Sequence, residues 1–214
     1  MTVPPAAARM RRISSVTANF NGLQGLALVP VALWLPAFGA VLVAAPDATQ
    51  WATLALIPVF GTMALITRHY HHRFGRVRTG GAAVRILVPA LGLAVFVATM
   101  IPVNLLTLSG SPIWPQGLQA ALVLATMVLL PPLLRRRTAD FAISRHWQVM
   151  CALFVLAALV PVGLLTGGAH PLNASLELAQ AALMWSLGAC FLIGGLLDHR
   201  LLVRSLGSPP AGDR

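Results

Sequence analysis

Long apolar runs, each closed by a cluster of arginines, constrain this chain more than any other feature. All fifteen of its basic residues are arginines. They come in groups: Arg9, Arg11 and Arg12; Arg68, Arg73, Arg76, Arg78 and Arg85; Arg135, Arg136, Arg137 and Arg145; Arg200, Arg204 and Arg214. Between the groups, six segments meet or approach the ~20 apolar residues that a helix needs to cross hydrocarbon. They are residues 22–45, 51–67, 84–108, 116–134, 147–166 and 175–197. Six crossings place every arginine on one side, and the loops on the other side carry only Asp47 and Glu177. Basic residues mark the cytoplasmic side of a membrane protein, so both termini are expected there.

Composition agrees with that threading. The chain is 57% hydrophobic and 9% charged, whereas soluble domains carry about 25% charge. The expected fold is an all-α, polytopic integral membrane protein with six transmembrane helices arranged as three hairpins, in a bacterial cytoplasmic (inner) membrane. Residues 1–21 form a cytoplasmic segment, 22–204 a single transmembrane domain, and 205–214 a tail whose Gly207, Pro209, Pro210 and Gly212 predict disorder. Arg9–Arg12 before an apolar stretch imitates a signal peptide. That stretch is too long, however, and Ala44-Ala45 is followed by Pro46, so an uncleaved first helix is expected.

The net charge of +10 is accounted for by this one-sided arginine and does not point to nucleic acid. Only Asp140, Asp198 and Asp213 oppose it on the same side. Its default partner is the bilayer itself, because anionic headgroups attract juxtamembrane basic residues by about 1 kcal/mol each. Cys151 and Cys190, the two cysteines, fall inside spans near that side, which disfavours a structural disulfide.

Odd-numbered spans begin near residues 21, 84 and 147, a period that invites a search for repeats. Residues 101–107 (IPVNLLT) align with 160–166 (VPVGLLT), and 119–122 (QAAL) with 180–183 (QAAL). Duplication and chance both remain open in so Ala- and Leu-rich a chain. Prolines recur inside the spans at 30, 36, 58, 89, 102 and 161, each removing a backbone donor and favouring a bend. Small residues line up four apart at Ala182, Ser186, Cys190 and Gly194, with Asp198 continuing the row. Ala90, Ala94 and Ala98 form a second row, and Ala121 with Ala125 a third. Such rows let membrane helices approach closely, and packing within the chain is the expected use.

Chemistry-bearing residues are sparse. The stretch from Arg68 to Arg78 holds His69, His71 and His72, and His146 and His199 lie at the same predicted depth. Imidazole with carboxylate is ligand chemistry for zinc or iron, which makes His69, His72, His146 and His199 weak metal candidates. Only His69 with His72 has helical ligand spacing, so no metal is expected. Tyr70, Phe74 and Trp147 at this level, with Trp51 and Trp114 at the other, suit the aromatic belts of a membrane protein. No histidine lies mid-span to ligate a haem, and no other cofactor is called for. At the opposite side Asn104, Gln119, Glu177 and Gln180, with His170 and Asn173 nearby, form a candidate ligand site. Arg68, Arg73, Arg76, Arg78, Arg135, Arg136 and Arg137 are candidates for lipid or partner contact.

No motif names a reaction. The leading reading is a non-enzymatic membrane component, a subunit, sensor or accessory protein that works through helix packing and its Arg-rich cytoplasmic face. Two alternatives stand beside it. One is a small transporter or substrate-capture subunit using the outward polar site; the other is a membrane enzyme using the His-rich interface. The sequence leaves ligand, partner and oligomeric state open.

Overall fold

Inside hydrocarbon no water satisfies peptide groups, so an apolar chain closes its own hydrogen bonds as helix. The computed structural model of this chain describes residues 25–74, 82–135 and 145–206, which are predominantly helical with no strand among them. A 3₁₀ turn, Gly25–Leu28, leads into α1, Val29–Ala44. Then come α2, Thr49–Leu54; α3, Leu56–Phe74; α4, Ala82–Leu108; α5, Pro115–Arg135; α6, Arg145–Leu159; α7, Val162–Thr166; and α8, Leu176–Leu206. The N-terminal segment 1–21 lies outside the described residues, as does 207–214 of the tail.

Five segments are long and apolar enough to cross a membrane: Gly25–Ala44, Pro46–His72, Ala90–Leu108, Arg145–Thr166 and Leu176–Arg204. The expected fourth span is shorter by this measure. Its apolar part is Pro115–Leu130, within a helix that continues to Arg135. At 1.5 Å per residue that whole helix of 21 residues is about 32 Å long, close to the ~30 Å of a hydrocarbon core.

Prolines decide where the spans break. Pro58 cannot bond the Leu54 carbonyl four residues back and crowds it, and the second span divides there, with α2 ending at Leu54 and α3 beginning at Leu56. Pro161 separates α6 from α7, and the Val162 N–H turns back to the Val160 carbonyl at 2.8 Å. Pro102, its counterpart in the suspected repeat, sits inside unbroken α4. The neighbours explain the difference. Gly163 N–H donates to the Pro112 carbonyl at 3.0 Å, and a Cβ on Gly163 would lie 2.7 Å from Pro112 Cα. The chain after Pro161 is thereby drawn onto the α4–α5 loop.

Helix pairing does not simply follow sequence order. α8 packs chiefly along α1 and its leading 3₁₀ turn, and only lightly against α6, its neighbour in the chain. α4 packs on α5, and α5 on α6. Glycine sets the α1–α8 contact: a Cβ on Gly195 would lie 2.5 Å from the Gly25 carbonyl oxygen, and one on Gly188 would lie 2.6 Å from the Pro36 ring. The Trp185 indole then donates to the Pro36 carbonyl at 3.1 Å. The opposite face of α8 closes a core with α5 and α6, in which Ala182, Leu183 and Cys190 meet Trp114, Ala120, Ala121, Leu124, Cys151 and Phe154.

The expected small-residue rows are used unequally. Ala182, Cys190, Gly194 and Asp198 are buried, and Ala121 is buried with Ala125 packed beside it. Ala90, Ala94 and Ala98 are exposed, because α4 turns a different face, with Gly92 against Met127, toward α5. α3 is the outlier: the apolar window of Pro46–His72 contains no buried residue. A Cβ on Gly61 would have no neighbour within 4 Å.

Gly195→Ala and Gly61→Ala should therefore move stability in opposite directions. The first forces backbones apart and costs about 1–3 kcal/mol. The second adds helix propensity in open space and gains up to about 1 kcal/mol. Reversible unfolding in mixed micelles measures both, and equal effects would contradict the close α1–α8 contact.

Candidate functional site

The Arg-rich end of the helices holds a network of side chains. It starts from Gly194, where a Cβ would lie 2.5 Å from the Trp147 ring. The missing side chain lets the indole lie against α8, and one turn later Asp198 accepts its Nε1–H through Oδ2 at 2.9 Å. The other carboxyl oxygen, Oδ1, lies 3.0 Å from His146 Nε2, an ion pair whenever the imidazole carries its second proton. His146 and Trp147 open α6, whose N-terminal partial positive charge suits a carboxylate. Asp198 is 3% exposed.

The next residue extends the junction to a third helix. His199 Nδ1 and the Tyr70 hydroxyl are 2.6 Å apart, and the rings meet edge-on at 5.9 Å. Tyr70, on α3, is 2% exposed. Two consecutive residues of α8 thus hold α6 and α3. At its other end, the α2–α3 segment is held to α1 by the Trp34 indole, which donates to the Ala52 carbonyl at 3.0 Å.

The histidines proposed as weak metal candidates are dispersed rather than gathered. His146 faces Asp198, His199 faces Tyr70, His72 Nε2 accepts from Arg68 Nε at 3.5 Å, and His69 is exposed. Among the described residues no group of three or more His, Cys, Asp or Glu could hold a metal ion. Tyr70 and Trp114 depart from the aromatic-belt expectation, since both are buried, whereas Trp51 is exposed. Of the arginines singled out, Arg68 is exposed. Arg76, Arg78, Arg136 and Arg137 lie outside the described residues, as do the side chains of Arg73 and Arg135.

A groove of about 500 Å³ opens beside this network, lined by Ala64, Thr67, Arg68, His71 and His72 of α3. The sequence reading named Arg68 and His72 but not the groove. Ala64, Thr67, Arg68, His71 and His72 at intervals of three, one, three and one share a helix face, which is the signal that would have found it.

At the opposite end, polar groups are used to tie loops. Asn173 Nδ2 donates to the Ser111 carbonyl at 3.0 Å and the Ile113 carbonyl at 2.8 Å, and His170 N–H also donates to Ser111 at 3.0 Å. His170 Nδ1 in turn accepts from Leu172 N–H. Gln119, 4% exposed, donates to the Phe96 carbonyl at 3.0 Å and so fastens α5 to α4. Glu177 is exposed in the first turn of α8, and Asn104 and Gln180 are half-buried. Of the four residues proposed as a ligand site, Gln119 is committed to helix packing.

Asp198→Ala takes the acceptor from the Trp147 N–H and the ion-pair partner from His146, and should cost about 2–4 kcal/mol. Tyr70→Phe removes one interhelical hydrogen bond and should cost only about 0.6–1.7 kcal/mol. Unfolding in mixed micelles ranks the two, and the reverse order would refute the Asp198-centred junction.

Burial holds the His170 imidazole below its ordinary pKa, so on acidification the unfolded chain takes up the proton first. Its contribution is full above about pH 6.5 and declines as pH falls below that value. His170→Asn keeps a capping acceptor without titrating. The melting temperature of the wild type should therefore fall more than that of His170→Asn between about pH 7.5 and pH 5.5, and parallel curves would exclude this role.

No family model matches the chain, and neither a curated protein nor a solved structure does.

Proposed function

We propose that this chain is a non-enzymatic component of a bacterial inner membrane, a subunit, sensor or accessory protein acting through helix packing and its Arg-rich face. In this reading it crosses six times, with α5 as the fourth span and both termini in the cytoplasm, as the one-sided arginines predict. The observation that carries it is the Asp198–His199 junction. Its most chemically capable side chains face one another across three helices and are largely enclosed, an arrangement suited to holding helix positions rather than to turning over a substrate. Ligand capture at the opposite face draws less support, because Gln119 and Asn173 are engaged in packing there.

The docking surface belongs to the Arg-rich segments that flank this junction. Replacing Arg135, Arg136 and Arg137 with Gln should reduce co-purification of the partner from native membranes or disturb the orientation of the chain. Pull-down and protease accessibility together give the answer, and unchanged results in both would refute the reading.

A further inference from the structure

We propose that the groove on α3 binds the phosphate of an anionic phospholipid, whose acyl chains lie along the bare flank of the same helix. Its lining combines an exposed guanidinium, two imidazoles, a hydroxyl and a methyl-sized floor, from Arg68, His71, His72, Thr67 and Ala64. Among the described residues its polar lining groups can all donate hydrogen bonds and none is a carboxylate, the chemistry that a phosphodiester requires. The volume of about 500 Å³ falls within the roughly 300–1,000 Å³ of small-ligand sites.

Geometry within the groove favours a forked contact. Arg68 Nε points to His72 Nε2 at 3.5 Å, an orientation in which the terminal N–H groups of the guanidinium can grip two phosphate oxygens.

The position of the groove selects a lipid over a soluble phosphate. It lies at the Arg-rich end of a helix with no buried residue in its apolar window, and toward the opposite end Leu65, Phe60 and Ile57 are exposed. A headgroup at Arg68 would therefore have its chains running beside uncovered apolar side chains. The variants that test it leave Arg135, Arg136 and Arg137 in place, so this inference stands or falls separately from partner docking.

The test uses the full chain in phosphatidylcholine vesicles titrated with phosphatidylglycerol, following thermal stability. Arg68→Gln should weaken the apparent affinity for phosphatidylglycerol about five-fold, as expected for one basic residue near the surface. Arg200→Gln, an exposed arginine on α8, should change it far less. Ala64→Trp fills the groove without altering charge and should also weaken binding. Equal losses for Arg68→Gln and Arg200→Gln would overturn the site, as would an unaffected Ala64→Trp. Stabilisation by inorganic phosphate alone, abolished in Arg68→Gln, would overturn the lipid assignment.

Discussion

The backbone contact at Gly25 and Gly195, between α8 and the 3₁₀ turn that leads into α1, sets the rest of the structure in place. Lipid tails are as apolar as leucine, so helices in a membrane gain little by burying apolar surface against each other and depend instead on close packing. Two glycines bring main chains together there, and Gly188 admits the Pro36 ring farther along. With one face of α8 fixed to α1, its other face is committed to α5 and α6. The first and last of the described long helices thereby become the frame on which the middle helices are arranged. A β-carbon at Gly195 disturbs more than its own contact, because both faces of α8 depend on one register.

The two ends of the helices are closed by different chemistry. At the opposite end the main-chain carbonyls of residues 111–113 collect the Gly163 and His170 N–H groups and the Asn173 side-chain amide, and the Gln116 side chain donates to the Thr107 hydroxyl. At the Arg-rich end the links are between side chains, Asp198 with Trp147 and His146, and His199 with Tyr70. Main-chain ties persist through most substitutions. Side-chain ties depend on the residues that make them, so a single substitution at Asp198 or His199 releases a contact between helices.

Much of the frame was legible in the sequence. Apolar runs of the right length gave helices because hydrocarbon leaves the backbone no alternative, and in the row from Ala182 to Asp198 every member but the half-buried Ser186 is buried. Pairing was less legible. Nothing in the order of segments says that α8 should pack chiefly on α1, since that choice rests on where glycines on distant segments meet. The alanine row on α4 misled for a related reason: small residues permit an approach but do not compel one, and Gly92 with Met127 filled that role. The His-rich end was recognised as polar, yet its partners were not, because the contacts of Tyr70 with His199 and of Trp147 with Asp198 join residues far apart in sequence. Gly194 beside Trp147 was the missing clue, a vacancy one turn before a carboxylate that an indole can fill.

α3 ties these observations together. It has little packing of its own and is fastened near its ends, by Trp34 to the carbonyl of Ala52 and by Tyr70 to His199. A helix with so few buried contacts sits at the low end of local stability, so its position is set by whatever else touches it. Tyr70 and the groove residues His71 and His72 share one helical turn. An anion held at Arg68 therefore acts next to the tyrosine that anchors α3 to α8, and through His199 next to Asp198. Asp198 and His199 are consecutive on α8, so the side chains that hold α6 and α3 are fixed to one turn of that helix.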